Sequence, residues 1–369
     1  MCGRYVITKP ITKTADLVKT NIKVEDKDNY NAHPAQKLPI IKSYTNGRAL
    51  ESHNWGLVPS WAKDKKDFRP LINARLETLM EKVSFKKLNE ICNYKKQFMK
   101  TLLEGKNGII FGALNSESIA WKVAEHCHAA GAKIVLTNAP MAMRLGEINS
   151  LADAIDAPVI PADATSLEDL NNLLEKSLEH FNGKVDFILH SIGMSVNVRK
   201  NRPYTDLNYD FLNKGWDVSA VSFHKLLQTA YKMDAINEWG SVLGLTYMAA
   251  QRTFPDYNDM AENKSYLESV ARSFGYHYGL KKNVRVNTIS QSPTITTAGS
   301  GVKGFMGFLN FAEKMSPLGN ATAEDCANYC ITLFSDLTRR VTMQNLFHDG
   351  GFSMTGVSQD VLDQFMDGE

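Results

Sequence analysis

The 369-residue chain carries 42 Lys and Arg against 40 Asp and Glu, and 43% of it is hydrophobic, a balance that suits a globular protein with a sizeable core. No apolar run reaches the roughly 18 residues of a membrane span, and the N-terminus "MCGRYVITKPITKTADLVKT" lacks the apolar region of a secretory signal. Five cysteines (Cys2, Cys92, Cys127, Cys326, Cys330), odd in number and without CxxC pairs, argue against a disulfide framework and a metal centre and for a reducing cytoplasm.

The charge is unevenly spread. Residues 1–98 hold 19 Lys and Arg against 10 Asp and Glu, a net of +9, whereas the other 271 hold 23 against 30, a net of −7. A basic first quarter is what a nucleic-acid partner would meet, and equally what a solvated lysine-rich surface looks like. Its short mixed segments, broken by "YNAHPAQ", "TNG" and "GLVPSWAKD", predict an all-β or α+β unit with functional loops. The rhythm changes across "NYKKQFMKTLLEGK" without a Gly/Ser linker, so two units are expected, 1–98 and 99–369, with Met99 placed where an independent second chain could begin.

From Lys106 onward, short apolar runs alternate with longer amphipathic ones. "NGIIFGAL" predicts a buried strand, "SESIAWKVAEHCHAAG" a helix ending at Gly131, and "AKIVLTNA" the next strand. "APVIPAD", "VDFILHSIG", "GSVLGLTYM", "NVRVNTIS" and "QNLFHDGGF" supply five more, with helices such as "SLEDLNNLLEKSLEHF" and "TAEDCANYCITLFSDL" between them. Strands alternating with helices of this length predict an α/β fold, a doubly wound parallel seven-stranded Rossmann sheet.

Two stretches carry chemistry. In "FGALNSESIAW", a glycine ends a strand and a helix begins six residues later, an arrangement that offers backbone N–H groups near Ser118 and Ile119 to a phosphate; with only one glycine, it also fits a plain strand–helix turn. In "TYMAAQRTFPDYNDMAENKSYLE", Tyr257 and Lys264 stand seven apart, two helical turns along one face, so a phenol and an ammonium can meet one ligand. An arbitrary pair of this kind is a partly exposed aromatic and a surface lysine; lying between the fifth and sixth strands, at the edge where such sheets bind ligands, gives this one more weight.

With these motifs in place, residues 101–366 resemble the NADH-dependent enoyl-[acyl-carrier-protein] reductases, a branch of the short-chain dehydrogenase/reductase superfamily. "GALNSESIAW" matches the family's Gly-x5-Ser-x-Ala signature, "LHSIG" its cofactor-side strand end and "SPTITTAGSG" its substrate loop. Tyr247-x9-Tyr257-x6-Lys264 matches its catalytic spacing, whereas ordinary superfamily members leave only three residues between Tyr and Lys. The resemblance implies hydride transfer from NADH to a trans-2-enoyl thioester. Tyr257 would donate a hydrogen bond to the developing enolate, Lys264 would hold the nicotinamide ribose, and Tyr247 would line the acyl site, a position that packing alone would also explain. Gly112, Ser118 and Ile119 would approach the pyrophosphate, Ser191, Ile192 and Gly193 the ribose and nicotinamide, and Thr296 the phosphates. Asp163 would meet the adenine amino group, or else cap the helix that follows it. No acidic residue follows the second strand in "TNAPMAMR", and Arg144 nearby leaves NADPH open beside NADH. Phe305, Phe308 and Phe311 in "GVKGFMGFLNFAEKM" form a stripe suited to a lid over an acyl chain. Arg199, Lys200 and Arg202 form either a solvated loop or a landing site for an acidic acyl carrier protein. His190 and His348 read as structural. A homotetramer is implied, and no membrane partner.

Residues 1–92 resemble the SRAP family, which shields abasic sites in single-stranded DNA, through "MCGRY", "YNAHPAQKLPII", "WGLVPSWAKD" and "LINARLETLMEKVSFKKL". The resemblance implies that, once Met1 is removed, the amine and thiol of Cys2 are nucleophiles, with Asn73 as active-site partner and Arg4 and Arg75 on DNA phosphates. The family's later glutamate motif ("ADGFYEW"-like) and histidine motif ("HxRMP"-like) are missing, so this is a truncated, β-rich SRAP-like segment. The expected function is therefore enoyl reduction by residues 99–369. The alternative is crosslinking to abasic single-stranded DNA through Cys2.

Overall fold

The structure, a computed structural model, describes residues 101–144, 147–300 and 304–366, together with the backbone of four strands at 5–7, 29–32, 37–44 and 47–54. Cys2, Arg4, Asn73 and Arg75 lie outside the described residues. The chain divides into two compact units, Met1–Gln97 and Phe98–Glu369. In the first, β1 (Tyr5–Ile7) pairs antiparallel with β2 (Asn29–Ala32), and β3 (Lys37–Tyr44) with β4 (Gly47–Asn54) in a hairpin whose register runs from Lys37 opposite Asn54 to Tyr44 opposite Gly47.

The second unit is built on a parallel sheet. Its strands are β5 (Asn107–Phe111), β6 (Lys133–Thr137), β7 (Val185–His190), β8 (Ile236–Thr246), β9 (Arg285–Gln291) and β10 (Asn345–His348), in the order β10-β9-β8-β7-β5-β6. The order reverses beside β5, which creates the crevice where doubly wound sheets take ligands. The expected seventh strand, "APVIPAD", shrinks to a single bridge between Val159 and Leu136. Leu136 N–H donates to the Pro158 carbonyl at 3.0 Å and Ile160 N–H to the Leu136 carbonyl at 3.0 Å. Neither Pro158 nor Pro161 has an N–H to extend the ladder.

The described helices include α1 (Ile119–Ala129), α2 (Leu167–Phe181), α3 (Tyr209–Trp216), α4 (Ser222–Lys232), α5 (Asp259–Lys282), α6 (Phe305–Met315) and α7 (Ala323–Phe334). Because successive strand side chains point to opposite faces, Ile110, Leu136, Leu189 and Leu243 enter a core with α1 and α7. Their neighbours Ile109, Val135, Ile188 and Val242 enter another with α2, α4 and α5. Buried Cys127, Cys326 and Cys330 are side chains of the α1–α7 core, with thiols pushed up by burial for Cys127 and, for Cys330, by the hydrogen bond its thiol donates to Cys326 and then by burial. Helix starts follow sequence chemistry. Ser166 caps α2 by accepting from Asp169 N–H, and Thr322 with Asp325 forms a capping box on α7.

Candidate functional site

A cavity of about 600 Å³ opens at the C-terminal ends of β5, β7, β8 and β9. Gly112, Ser118, Ile119, Ser191, Ile192, Gly193, Tyr247, Tyr257, Lys264 and Thr296 all line it. The structure thus brings together every site residue singled out in this unit except Asp163. That residue is exposed, and its carboxylate accepts from Thr165 N–H at 2.9 Å and Thr165 Oγ1 at 2.7 Å, while the helix-cap role falls to Ser166.

The floor of the cavity is backbone. Gly112 has φ +98°, and a Cβ there would lie 2.1 Å from the Ser191 carbonyl, so β5 and β7 end in a cradle that a side chain would fill. Ser118 shapes the next turn from its side chain: its Oγ accepts from Leu114 and Asn115 N–H, both at 3.1 Å. Its own N–H is taken by the Asn115 carbonyl at 3.0 Å. The amides left to face an anion are those of the first turn of α1, beginning at Ile119, where the helix dipole is positive. Across the gap, Asn115 Nδ2 donates to Thr297 Oγ1 at 2.8 Å, tying this loop to the 293–297 segment.

The wall is aromatic and carries one ammonium. Lys264 is 6% exposed; its Nζ donates to the Leu245 carbonyl at 2.7 Å and would sit 3.6 Å from a Cβ added to Gly193. Burial pulls its pKa down to about 8, with Glu268 opposing the shift. Burial pushes the Tyr257 phenol well above its ordinary value, so it is a proton-bearing donor at neutral pH. Tyr247 is shifted the same way by burial, then by Tyr257 and Asp349. The two rings stand 5.2 Å apart, and the buried Tyr247 hydroxyl has no partner among the described residues. A desolvated phenol next to an open cavity is a group awaiting an acceptor. Phe254 and Phe308 close the apolar end, their centroids 5.6 and 6.1 Å from the Tyr247 ring.

The lid stripe is only partly realised. Phe305 and Phe308 of α6 line the cavity, but Phe311 packs beside Phe352 with 45% of it exposed. Steps of three residues on a helix of 3.6 per turn rotate the stripe by about 60° each, so the third member has left the face of the first.

Residues with no legible sequence signal hold Tyr257 in place. Asp256 and Asn258, on either side of it, have φ +65° and +45°, and neither is glycine. Asn258 Nδ2 donates to the Arg202 carbonyl at 2.5 Å. Fully buried Asp259 accepts from Ser195 Oγ at 2.6 Å and Asn197 Nδ2 at 3.1 Å. The start of α5 is thereby locked to the 195–202 loop, which maintains an uncommon backbone beside the phenol. In the same loop Arg199 reaches the cavity lining, Lys200 lies 5.2 Å over the Phe211 ring, and Arg202 pairs with Asp206 at 3.3 Å. His190 is fully buried with Nε2 2.9 Å from Ser222 Oγ, and burial followed by the nearby Lys264 charge lowers its pKa to about 3, leaving it neutral. His348 stacks on Tyr329 and contacts Gln291. Among the described residues no group of three or more His, Cys, Asp or Glu is arranged to hold a metal.

This geometry has relatives. Residues 112–353 match the family model described as enoyl-(acyl carrier protein) reductase, and residues 1–92 match the SOS response associated peptidase (SRAP) model. A Rhizobium meliloti protein named enoyl-[acyl-carrier-protein] reductase [NADH] 2 is 33% identical over 262 residues, spanning 70% of this chain and 96% of that protein. The Bacillus subtilis enoyl-[acyl-carrier-protein] reductase [NADH] FabI is 30% identical over 256 residues, 69% of this chain and 98% of its own. Among solved structures, the FabI–NADH complex from Alistipes finegoldii is 62% identical, with TM-score 0.71, over 73% of this chain and 95% of that one.

Proposed function

Since the chain belongs to the enoyl-(acyl carrier protein) reductase family, we propose that Tyr257, Lys264 and Tyr247 carry its reaction in the roles that follow. The reaction is the NADH-dependent reduction of trans-2-enoyl-[acyl-carrier-protein] to the saturated acyl form in fatty acid synthesis. The observation that carries the reading is the convergence of a backbone cradle at Gly112, a buried ammonium at Lys264 and two proton-bearing phenols on one apolar cavity.

NADH, when bound, supplies the hydride that adds to the β-carbon of the enoyl thioester. The chain's own residues receive the charge this creates. The thioester oxygen becomes an enolate, and Tyr257 donates to it a hydrogen bond that strengthens as the charge builds. Lys264 holds the nicotinamide ribose hydroxyls and adds positive potential. Tyr247, with Phe254 and Phe308, packs against the acyl group and keeps water out. The cradle fits a pyrophosphate, because the Gly112 turn and the first amides of α1 leave room for, and attract, an anion. Asp163 at the adenine end is the most peripheral of the assigned contacts.

The ammonium role predicts a pH dependence. With its pKa lowered to about 8, Lys264 is charged at neutral pH and loses its proton as pH rises through that value. NADH affinity, followed by fluorescence titration, is expected to fall above about pH 8 while remaining level below it. A level affinity across that range would remove Lys264 from the ribose.

We place the protein in the cytoplasm as a homotetramer. No described helix is long and apolar enough to cross a membrane, and Tyr276 and Leu280 leave apolar surface exposed on α5. A second reading, crosslinking of abasic single-stranded DNA through Cys2, is favoured by the SRAP match over residues 1–92 and opposed by the missing glutamate and histidine motifs. Oxidation of NADH by crotonyl thioester, measured for the full chain and for a chain beginning at Met99, tests the assignment. Comparable rates make residues 1–98 a passenger; activity in the full chain alone makes them part of the enzyme. No rate in either overturns the assigned roles and turns attention to Cys2 with abasic DNA.

A further inference from the structure

Glu268 lies one turn beyond Lys264 on α5 and is 4% exposed, yet it does not line the cavity. Among the described residues no cation lies within ion-pair distance of it. Its two oxygens are instead taken by neutral donors: Thr246 Oγ1 at 2.9 Å and Gln251 Nε2 at 3.0 Å. Thr246 is the last residue of β8, and Gln251 closes the single 3-10 turn Met248–Ala250. One carboxylate therefore grips both ends of the short segment that bears Tyr247. The residue before Thr246 is Leu245, whose carbonyl receives the Lys264 ammonium. Lys264 and Glu268, four apart on one helix face, thus hold consecutive residues at the mouth of β8.

We propose that Glu268 is a positioning residue of the reductase site, fixing the Tyr247 segment through Thr246 and Gln251 and supplying the negative charge that keeps Lys264 an ammonium. The inference rests on the reductase reading above. A buried carboxylate is costly, and a glutamine could make comparable hydrogen bonds more cheaply, so the charge itself needs a use. The groups around Lys264 supply one. From β7 comes His190, which burial keeps neutral; from the β8 end comes Tyr247, and from the turn just before α5 comes Tyr257, both protonated at neutral pH. Glu268 is the anion acting on Lys264; burial raises its own pKa, opposed first by the Gln251 and Thr246 hydrogen bonds and then by the charges of Arg272 and Lys264.

The test uses the full chain as wild type, Glu268→Gln and Gln251→Met. NADH affinity is measured by fluorescence titration across neutral and alkaline pH, and kcat and KM with crotonyl thioester. Glu268→Gln is expected to move the alkaline loss of NADH affinity down by about one pH unit and to lower kcat about tenfold. A merely structural role would not move the alkaline limb. Gln251→Met, which removes one bond and leaves the charge, is expected to lower kcat severalfold with the limb in place. It serves as the readout for the positioning half if Glu268→Gln does not fold, and an unchanged kcat in it overturns that half. A limb that stays put in folded Glu268→Gln overturns the electrostatic half. A wild-type chain that binds NADH but never reduces the thioester overturns the reductase reading itself, an outcome distinct from any behaviour of the variants.

Discussion

Lys264→Met is expected to weaken NADH binding by roughly 30-fold to 100-fold, because the lost contacts are charge-assisted hydrogen bonds worth about 2 to 3 kcal/mol. Methionine keeps the stem and its packing, so the loss reports the ammonium and little else. The free protein is expected to respond differently. Lys264 has a folded-state pKa near 8, below the ordinary lysine value of 10.5, because burial disfavours its charge. Below that pH the unfolded chain and the folded one are both protonated, and the folded state bears the full cost of the buried charge. Between the two values only the unfolded state holds the proton, so the cost declines as pH rises. Removing the charge should therefore offset the loss of the bond to the Leu245 carbonyl and leave the cofactor-free protein close to wild type in stability at neutral pH, with the gain from the lost charge narrowing in alkali. Thermal unfolding with and without NADH checks both statements. A variant that unfolds early in both conditions would mean that Lys264 is a core residue and not a ligand-holding one.

That contrast between stability and binding shows which parts of the site were legible in the sequence. The sheet was, because Ile109 and Ile110, or Ile188 and Leu189, are adjacent apolar residues that must each find a core, which only a sheet covered on both faces provides. The phenol and ammonium were expected two turns apart on one helix face, but Tyr257 precedes α5, and it is the non-helical backbone at Asp256 and Asn258 that brings it to the cavity Lys264 lines. The edge strand was overread: "APVIPAD" has the composition of a buried strand but two prolines that cannot donate to a neighbour. The supports were not legible. Ser195 and Asp259 lie 64 residues apart, as polar residues whose pairing leaves no periodicity to detect. Nothing in the sequence singles out Glu268, and only the fold shows that α5 buries Asn263, Lys264 and Glu268 together against the ends of the strands. A sequence announces the groups that perform chemistry more readily than those that aim them, because aiming is done by contacts distant along the chain.

The two tyrosines make that distinction testable. Tyr257→Phe removes one hydroxyl and is expected to lower kcat about 10²-fold to 10³-fold, the effect of losing one donor to a developing oxyanion, with NADH affinity unchanged. Among the described residues nothing accepts from the Tyr257 hydroxyl, so its removal leaves no orphaned partner and stability should hold. Tyr247→Phe is expected to cost less in kcat, since its hydroxyl is buried deeper among Phe254, Phe308 and Tyr257, at the apolar end of the cavity. It should also stabilise the free protein slightly, because a buried hydroxyl without a partner is itself a penalty. If the larger kcat loss falls on Tyr247→Phe instead, the unpartnered hydroxyl is the donor to the enolate, and Tyr257 is the residue that packs. Either ranking is informative, because the rings are 5.2 Å apart and the phenol whose loss slows the chemical step more is the principal donor to the thioester oxygen.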